Sequence, residues 1–286
     1  MARQSVVFFG SGPVAAASLS LLKEHCSIEA IVTKPSTKTE MQAACPDTPI
    51  FTVGSKKELD SLLSNEGFTS RLAVLIDFGI IVSQEVIDYF PLGIINSHFS
   101  LLPQLRGADP ISFAILSGQE QTGVSLMLLT AGMDEGPILS SAALDIYKQT
   151  GPELTDQLVE LSDSLLKEII PLYIDGAIIP MPQESTAALH NIDPKPTYSR
   201  KLTKADGVID WTKPAEQIER EIRAFIEWPK SRAQIAEKDV IITQAHVIPT
   251  NTSNAKPGDT HVAGKELIVE CGSNSLSIDT LKPAGK

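Results

Sequence analysis

The run Leu92–His98, LGIINSH, has an apolar lead of strand length and ends with two polar side chains spaced two residues apart, Asn96 and His98. Three similar runs precede it, SVVFFG (5–10), IEAIVT (28–33) and RLAVLIDF (71–78), separated by helix-like stretches such as Val14–Glu24 and Lys57–Leu63. Near-continuous apolar strands alternating with helices predict an α/β fold: a Rossmann-like, doubly wound, mostly parallel sheet with helices on both faces. In such sheets chemistry gathers at the carboxyl ends of the strands.

Beyond His98 come a helix-like PISFAILSG (110–118), strand-like GVSLMLL (123–129) and PILSSAALDI (137–146), and a long amphipathic helix candidate over Pro152–Tyr173. Residues 180–199 contain four prolines and little periodicity, which reads as a linker. The division expected is a catalytic domain at 1–180, a linker at 181–199 and a second domain at 200–286. The last has one helix-like run, PAEQIEREIRAF (214–225), and then short β-rich runs with turn residues, which suit a small β-barrel of the oligonucleotide-binding (OB-like) type.

Composition narrows the function classes. With 286 residues, 42% of them hydrophobic, the chain has the material for a core domain plus a smaller module. No apolar run approaches the roughly 20 residues that cross a bilayer, and MARQSVVFFG enters a strand-like run with no signal-peptide pattern, so a cytoplasmic location with no membrane contact is expected. Cys26, Cys45 and Cys271 are far apart and lack metal-site spacing, so they read as buried apolar residues and no metal is expected. The net charge is −11, unevenly spread: residues 1–197 hold 11 basic and 23 acidic side chains, residues 198–286 hold 13 and 12. A polyanion would therefore favour the carboxyl-terminal part.

On a strand, Asn96 and His98 project to one face while Ser97 projects to the other. A carboxamide is an uncharged donor suited to an oxygen gathering negative charge, and an imidazole beside it can move a proton near neutral pH. Together they suit acyl transfer. Such a histidine needs a carboxylate to orient it and raise its pKa. Asp134, in TAGMDEG (130–136), is the best candidate, with Glu135 and Asp109 as alternatives that spacing alone leaves open. GSGPVA (10–15) imitates a dinucleotide fingerprint, but Ala15 replaces its third glycine and the second strand ends in VTKP with no acidic residue for a ribose. The other four histidines lack partner spacing, and Trp211 and Trp228 read as core or domain-interface residues.

NSHFSLLPQLRGADPISFAI (96–115), followed by GQEQTGVSLMLLTAGMDEGPIL (118–139), resembles the signature of the folate-dependent formyltransferases. The likeness extends to FFGSGPVAAASLSLL (8–22), DFGIIV (77–82), YSRKLTKADGVIDW (198–211), AEQIEREIRAFIEWPKS (215–231) and LKPAGK (281–286). It implies transfer of a formyl group from 10-formyltetrahydrofolate to an amine. The second-domain match points to the α-amino group of methionine on initiator tRNA, with a nucleotide-linked amino sugar as the alternative acceptor. It also implies a catalytic trio of Asn96, His98 and Asp134, and a folate site at Phe78, Gly79, Ile80, Ile81 and Val82 together with Ser100, Leu101, Leu102 and Pro103. Nucleic-acid contacts are expected at Lys34, Lys38, Arg200, Lys201 and Lys204, in a monomeric protein. The chain departs from the family pattern where the loop after the second strand is short and has no arginine, and where Asp77-Phe78-Gly79 stands for Ala-Tyr-Gly.

Overall fold

A computed structural model describes residues 3–249 and 255–284, so the last two residues of LKPAGK lie outside the described residues. The chain folds as two compact units: Met1–Gly107, Thr122–Leu144 and Thr155–Tyr198 form the first, and Ala108–Gln121, Asp145–Leu154 and Ser199–Lys286 the second.

The four apolar runs of the sequence become β1 (Gln4–Gly10), β2 (Cys26–Thr33), β4 (Leu72–Ile76) and β5 (Ile94–His98), and a further short strand, β3 (Ile50–Thr52), lies between β2 and β4 in the chain. Between them lie α1 (Pro13–Leu22), α2 (Lys38–Ala44), α3 (Lys56–Asn65) and α4 (Gln84–Tyr89). After the two-residue strand β6 (Arg106–Gly107) come α5 (Pro110–Ser117), β7 (Gln121–Leu128), β8 (Ile138–Asp145) and α6 (Gly151–Ile174). The sheet order is β3-β2-β1-β4-β5-β7-β8. The pairs from β3 to β5 are parallel and β7 runs antiparallel to β5. This is the mostly parallel, Rossmann-like sheet that strand–helix alternation predicts.

Alternation along the strands sets one core. Val7 and Phe9, Ala30 and Val32, and Ala73 and Leu75 share a buried cluster with Leu59, Phe78, Val86 and Phe90. Phe9 meets the rings of Phe78 and Phe90 edge to face at 5.6 and 5.9 Å. Burying one such side chain contributes roughly 1.5–3 kcal/mol. The third apolar run stops short of its sequence extent: Asp77 takes a left-handed φ of 47°, so β4 ends at Ile76 and residues 77–82 leave the sheet as a loop.

Residues 181–199, read from sequence as a linker, contain α7 (Gln183–Leu189), with Gln183, Thr186 and Ala187 buried, and β9 (Tyr198–Ser199). Pro182 is the N-cap of α7. Its lone ring sets φ for a helix start without adding periodicity, so the helix carries little signal in sequence.

In the second unit, α8 (Ala215–Ala224) precedes five antiparallel strands, β10 (Ser231–Ile235), β11 (Lys238–Ile248), β12 (Thr260–Ala263), β13 (Glu266–Glu270) and β14 (Ser275–Pro283). Their order is β10-β11-β14-β13-β12, the five-stranded OB-like module of the sequence reading. Ala215, Ile218 and Ile222 recur at helical spacing and pack on Ile242, Val269, Leu276 and Ile278. All three cysteines are buried and free. Among the described residues no helix is long and apolar enough to cross a membrane.

Candidate active site

β5 delivers two faces. Ser97 turns to α6, where its hydroxyl lies 2.7 Å from that of Ser162, while Asn96 and His98 turn to the other side, each 7% exposed. The turn between β7 and β8 brings Asp134 over that side. Asn96 Nδ2 donates to Asp134 Oδ1 at 3.4 Å, and His98 Nδ1 lies 3.8 Å from Asp134 Oδ2. The Gly107 N–H donates to Asp134 Oδ2 at 2.7 Å, tying the carboxylate to β6.

Sequence left three carboxylates open, and the geometry separates them. Glu135 turns to Arg106, with Oε1 3.3 Å from Nη1. Asp109, in the second unit, accepts the Leu202 N–H at 2.7 Å. Asp134 alone of the three meets the ring of His98.

The orientation of that ring follows from its other partner. His98 Nε2 lies 2.9 Å from the carbonyl oxygen of Leu105, which can only accept. Nε2 therefore carries a hydrogen, and Nδ1 is the nitrogen that faces Asp134 and can gain or lose a proton. Leu105 holds this carbonyl with a left-handed φ of 57°, and Asp134 has φ 51°. Non-glycine residues held in that region cost about 1–3 kcal/mol each, and such strain clusters at functional sites.

The segment between β5 and β6 is built from within. Ser125 Oγ donates to the Ser100 carbonyl at 2.8 Å and accepts from Leu102 N at 3.0 Å, while the Ser100 hydroxyl donates to the Gln104 carbonyl. Leu102 joins Met127 and Ile138 in a small apolar cluster. Ser100, Leu101, Leu102 and Pro103 are thus buried. Thr197 closes the far side, with its hydroxyl and carbonyl accepting from the N–H groups of Leu105 and Arg106, both at 2.9 Å.

The other folate candidates differ in character. Phe78 is core, but the backbone groups of Phe78–Val82 make no hydrogen bond among the described residues, and Ile81 is 77% exposed. This loop leaves β4, whose Leu75 is registered with Asn96 on β5. Unpaired N–H and C=O groups beside an exposed aliphatic side chain fit a flat heterocycle that both donates and accepts, as a pterin does. Among the described residues no cluster of three or more His, Cys, Asp or Glu is arranged to hold a metal ion.

The cation candidates are scattered. The Lys34 ammonium lies over Gly79, where an added Cβ would sit 2.6 Å from Nζ, so this lysine joins the loop proposed for folate; Lys38 is exposed at the start of α2. Arg200 is committed to Asp206 through both carboxylate oxygens, at 3.0 and 2.5 Å, and lies 5.7 Å above the ring of Phe113. That pairing holds the Asp206 carboxyl well below the usual carboxylate range. Lys201 and Lys204 are exposed and form no ion pair among the described residues. Sequence reasoning missed the Leu105 carbonyl, the Gly107 N–H, Arg106, Gln183 and Thr197. Backbone groups carry no sequence label, and Gln183 lies 49 residues from the Asp134 carbonyl that it binds.

Sequence and fold are both shared with known proteins. The chain belongs to the formyl transferase family: Formyl transferase matches residues 4–170, and Formyl transferase, C-terminal domain, matches residues 201–286. Two relatives named "Methionyl-tRNA formyltransferase" are similar over 98% of the chain: one from Roseiflexus sp. (strain RS-1), 32% identical with 88% of its length covered, and one from Pseudomonas putida (strain F1), 33% identical with 92% covered. Among solved structures, the N-formyltransferase from Helicobacter canadensis in complex with folinic acid and dTDP-3-aminofucose shares the fold, with a TM-score of 0.69 and 17% identity, covering 97% of this chain and 99% of that one. HypX from Aquifex aeolicus in complex with tetrahydrofolic acid aligns with a TM-score of 0.65 and 14% identity over 98% of this chain and 44% of that one.

Proposed function

We propose that the chain transfers the formyl group of 10-formyltetrahydrofolate to the α-amino group of methionine on initiator tRNA, as a monomer in the cytoplasm. The observation that carries this reading is the meeting of Asn96, His98 and Asp134 in a chain whose named relatives match it almost from end to end. Residues 1–180 would form the catalytic domain and 200–286 the tRNA-binding domain, with 181–199 connecting them.

The cosubstrate supplies, when bound, an activated formyl carbon. Phe78–Val82 would hold its flat ring through their unpaired backbone groups, on a floor that includes Ser100–Pro103. The acceptor amine has a pKa of about 7.7–8.0, so a useful fraction is neutral and nucleophilic near pH 7. One hydrogen of the Asn96 carboxamide points to Asp134, leaving the other for the carbonyl oxygen as negative charge gathers there. A donor so placed is worth about 10² to 10³ in turnover. His98 Nδ1 takes the proton released by the attacking amine and passes it to the departing nitrogen, while Nε2 stays anchored to Leu105. Asp134 holds the ring and steadies the charge it gains. Lys34, Lys38, Lys201 and Lys204 would meet tRNA phosphates, with Arg200 contributing only if it leaves Asp206.

A second reading, formyl transfer to a nucleotide-linked amino sugar, is favoured by the solved structure bound to dTDP-3-aminofucose. At 17% identity that likeness concerns fold alone. Incubating the protein and 10-formyltetrahydrofolate with either methionyl-tRNA or a nucleotide-linked amino sugar separates the readings. Formylated methionyl-tRNA is expected; formylation of the sugar alone would refute the reading.

A further inference from the structure

Resting on the reading above, we propose that Gln183 is a positioning residue for the transfer, acting through the backbone of the turn that carries Asp134. Its carboxamide uses its full donor capacity. Nε2 donates to the carbonyl oxygens of Asp134 at 2.8 Å and Gly136 at 2.9 Å. Oε1 accepts from Arg106 twice, from Nη2 at 2.7 Å and from Nε at 3.2 Å. Both side chains are buried, Gln183 at 3% and Arg106 at 8% exposed.

This network allows one orientation of the amide. Rotating it by half a turn would set the NH2 group against a guanidinium and the oxygen against two carbonyls. Arg106 thus locks the carboxamide, and the carboxamide bridges the carbonyls of the two residues on either side of Glu135. Gly107, next along the chain from Arg106, holds the Asp134 carboxylate itself. Backbone and side chain of Asp134, whose φ of 51° is unfavourable for a non-glycine residue, are therefore fixed from adjoining points. At Gly136 an added Cβ would sit 1.7 Å from the Leu128 carbonyl oxygen, so the turn packs closely on the end of β7 there and accepts no side chain. Helix α7, in the stretch that reads as a linker, becomes part of the catalytic apparatus through this clamp.

Gln183→Glu is the discriminating variant, because it is isosteric and keeps the Arg106 contact but turns an acceptor toward two carbonyls. Gln183→Met and Arg106→Lys accompany it, with thermal melting to check folding. In Gln183→Glu, kcat for methionyl-tRNA formylation should fall about 10- to 100-fold, the scale of a catalytic group displaced by about 1 Å, with KM for both substrates within about threefold of the parent. The ring 15N and 1H resonances of His98, read by NMR on the ligand-free protein, should move toward those of Asp134→Asn. A kcat within threefold of the parent, a loss carried by KM instead, or His98 resonances at their parental positions would overturn the proposal. If the parent protein formylates no methionyl-tRNA, the functional reading falls, while the resonances still decide whether Gln183 sets Asp134 against His98.

Discussion

Asn96 and His98 show how much one residue pair discloses. The two-residue period of a strand sets them on one face, and Ser97, turned to Ser162, shows the same period from the other side. Asp134 is the best of three carboxylates in the sequence reading and the one the family resemblance implies; the Gly107 N–H that holds it is a backbone group and leaves no trace in sequence. Its chemistry yields a prediction. Asp134 accepts from Gly107 on one oxygen and from Asn96 on the other, so a carboxamide there sets its NH2 against the Gly107 N–H or against the Asn96 amide, which must then turn its own donor away. Asp134→Asn should therefore lower turnover about 100-fold or more and cost about 1–3 kcal/mol of stability. Steady-state kinetics and chemical denaturation check both, and parental turnover would contradict the role.

At the scale of elements, strands announced themselves by apolar runs, whereas α7 and the 77–82 loop did not. A seven-residue helix is too short to show a period, and the left-handed turn at Asp77 interrupts a run that otherwise continues through Phe78. α7 also carries a titration. His190, at its carboxyl end, lies with Nε2 2.7 Å from Ser141 Oγ on β8, and burial holds its pKa below the ordinary value of 6.5. A folded-state pKa below the unfolded one means that the unfolded chain binds more protons as the pH drops. The stabilisation is present above about pH 6.5 and is lost as the pH falls through the folded value. The urea midpoint of the parent should thus decline more between pH 7.5 and 5 than that of His190→Gln; equal declines would exclude the contribution.

For the whole molecule, the path of the chain through its two compact units is not legible in composition. Residues 108–121 and 145–154 belong to the compact unit otherwise formed by the carboxyl-terminal residues, because α5 and α8 share it, and no boundary signal marks such a return. Arg220 Nε, for example, donates to the Leu116 carbonyl at 3.3 Å. Charge is the property read at this scale: the acidic excess lies in residues 1–197, and the unpaired lysines Lys201 and Lys204 lie beyond it. Reversing both to glutamate should weaken tRNA binding and reduce the slope of log K against log salt by about two, with folate affinity unchanged. Titrations at several salt concentrations check this, and an unaltered slope would remove these lysines from the interface. The central claim, that the Asn96 amide and the His98 ring carry the transfer, is tested most directly by single-turnover formylation of methionyl-tRNA with Asn96→Ala and His98→Ala under saturating conditions. The account predicts rates at least about 10² below the parent in proteins that melt as the parent does; a parental rate in either variant would contradict it.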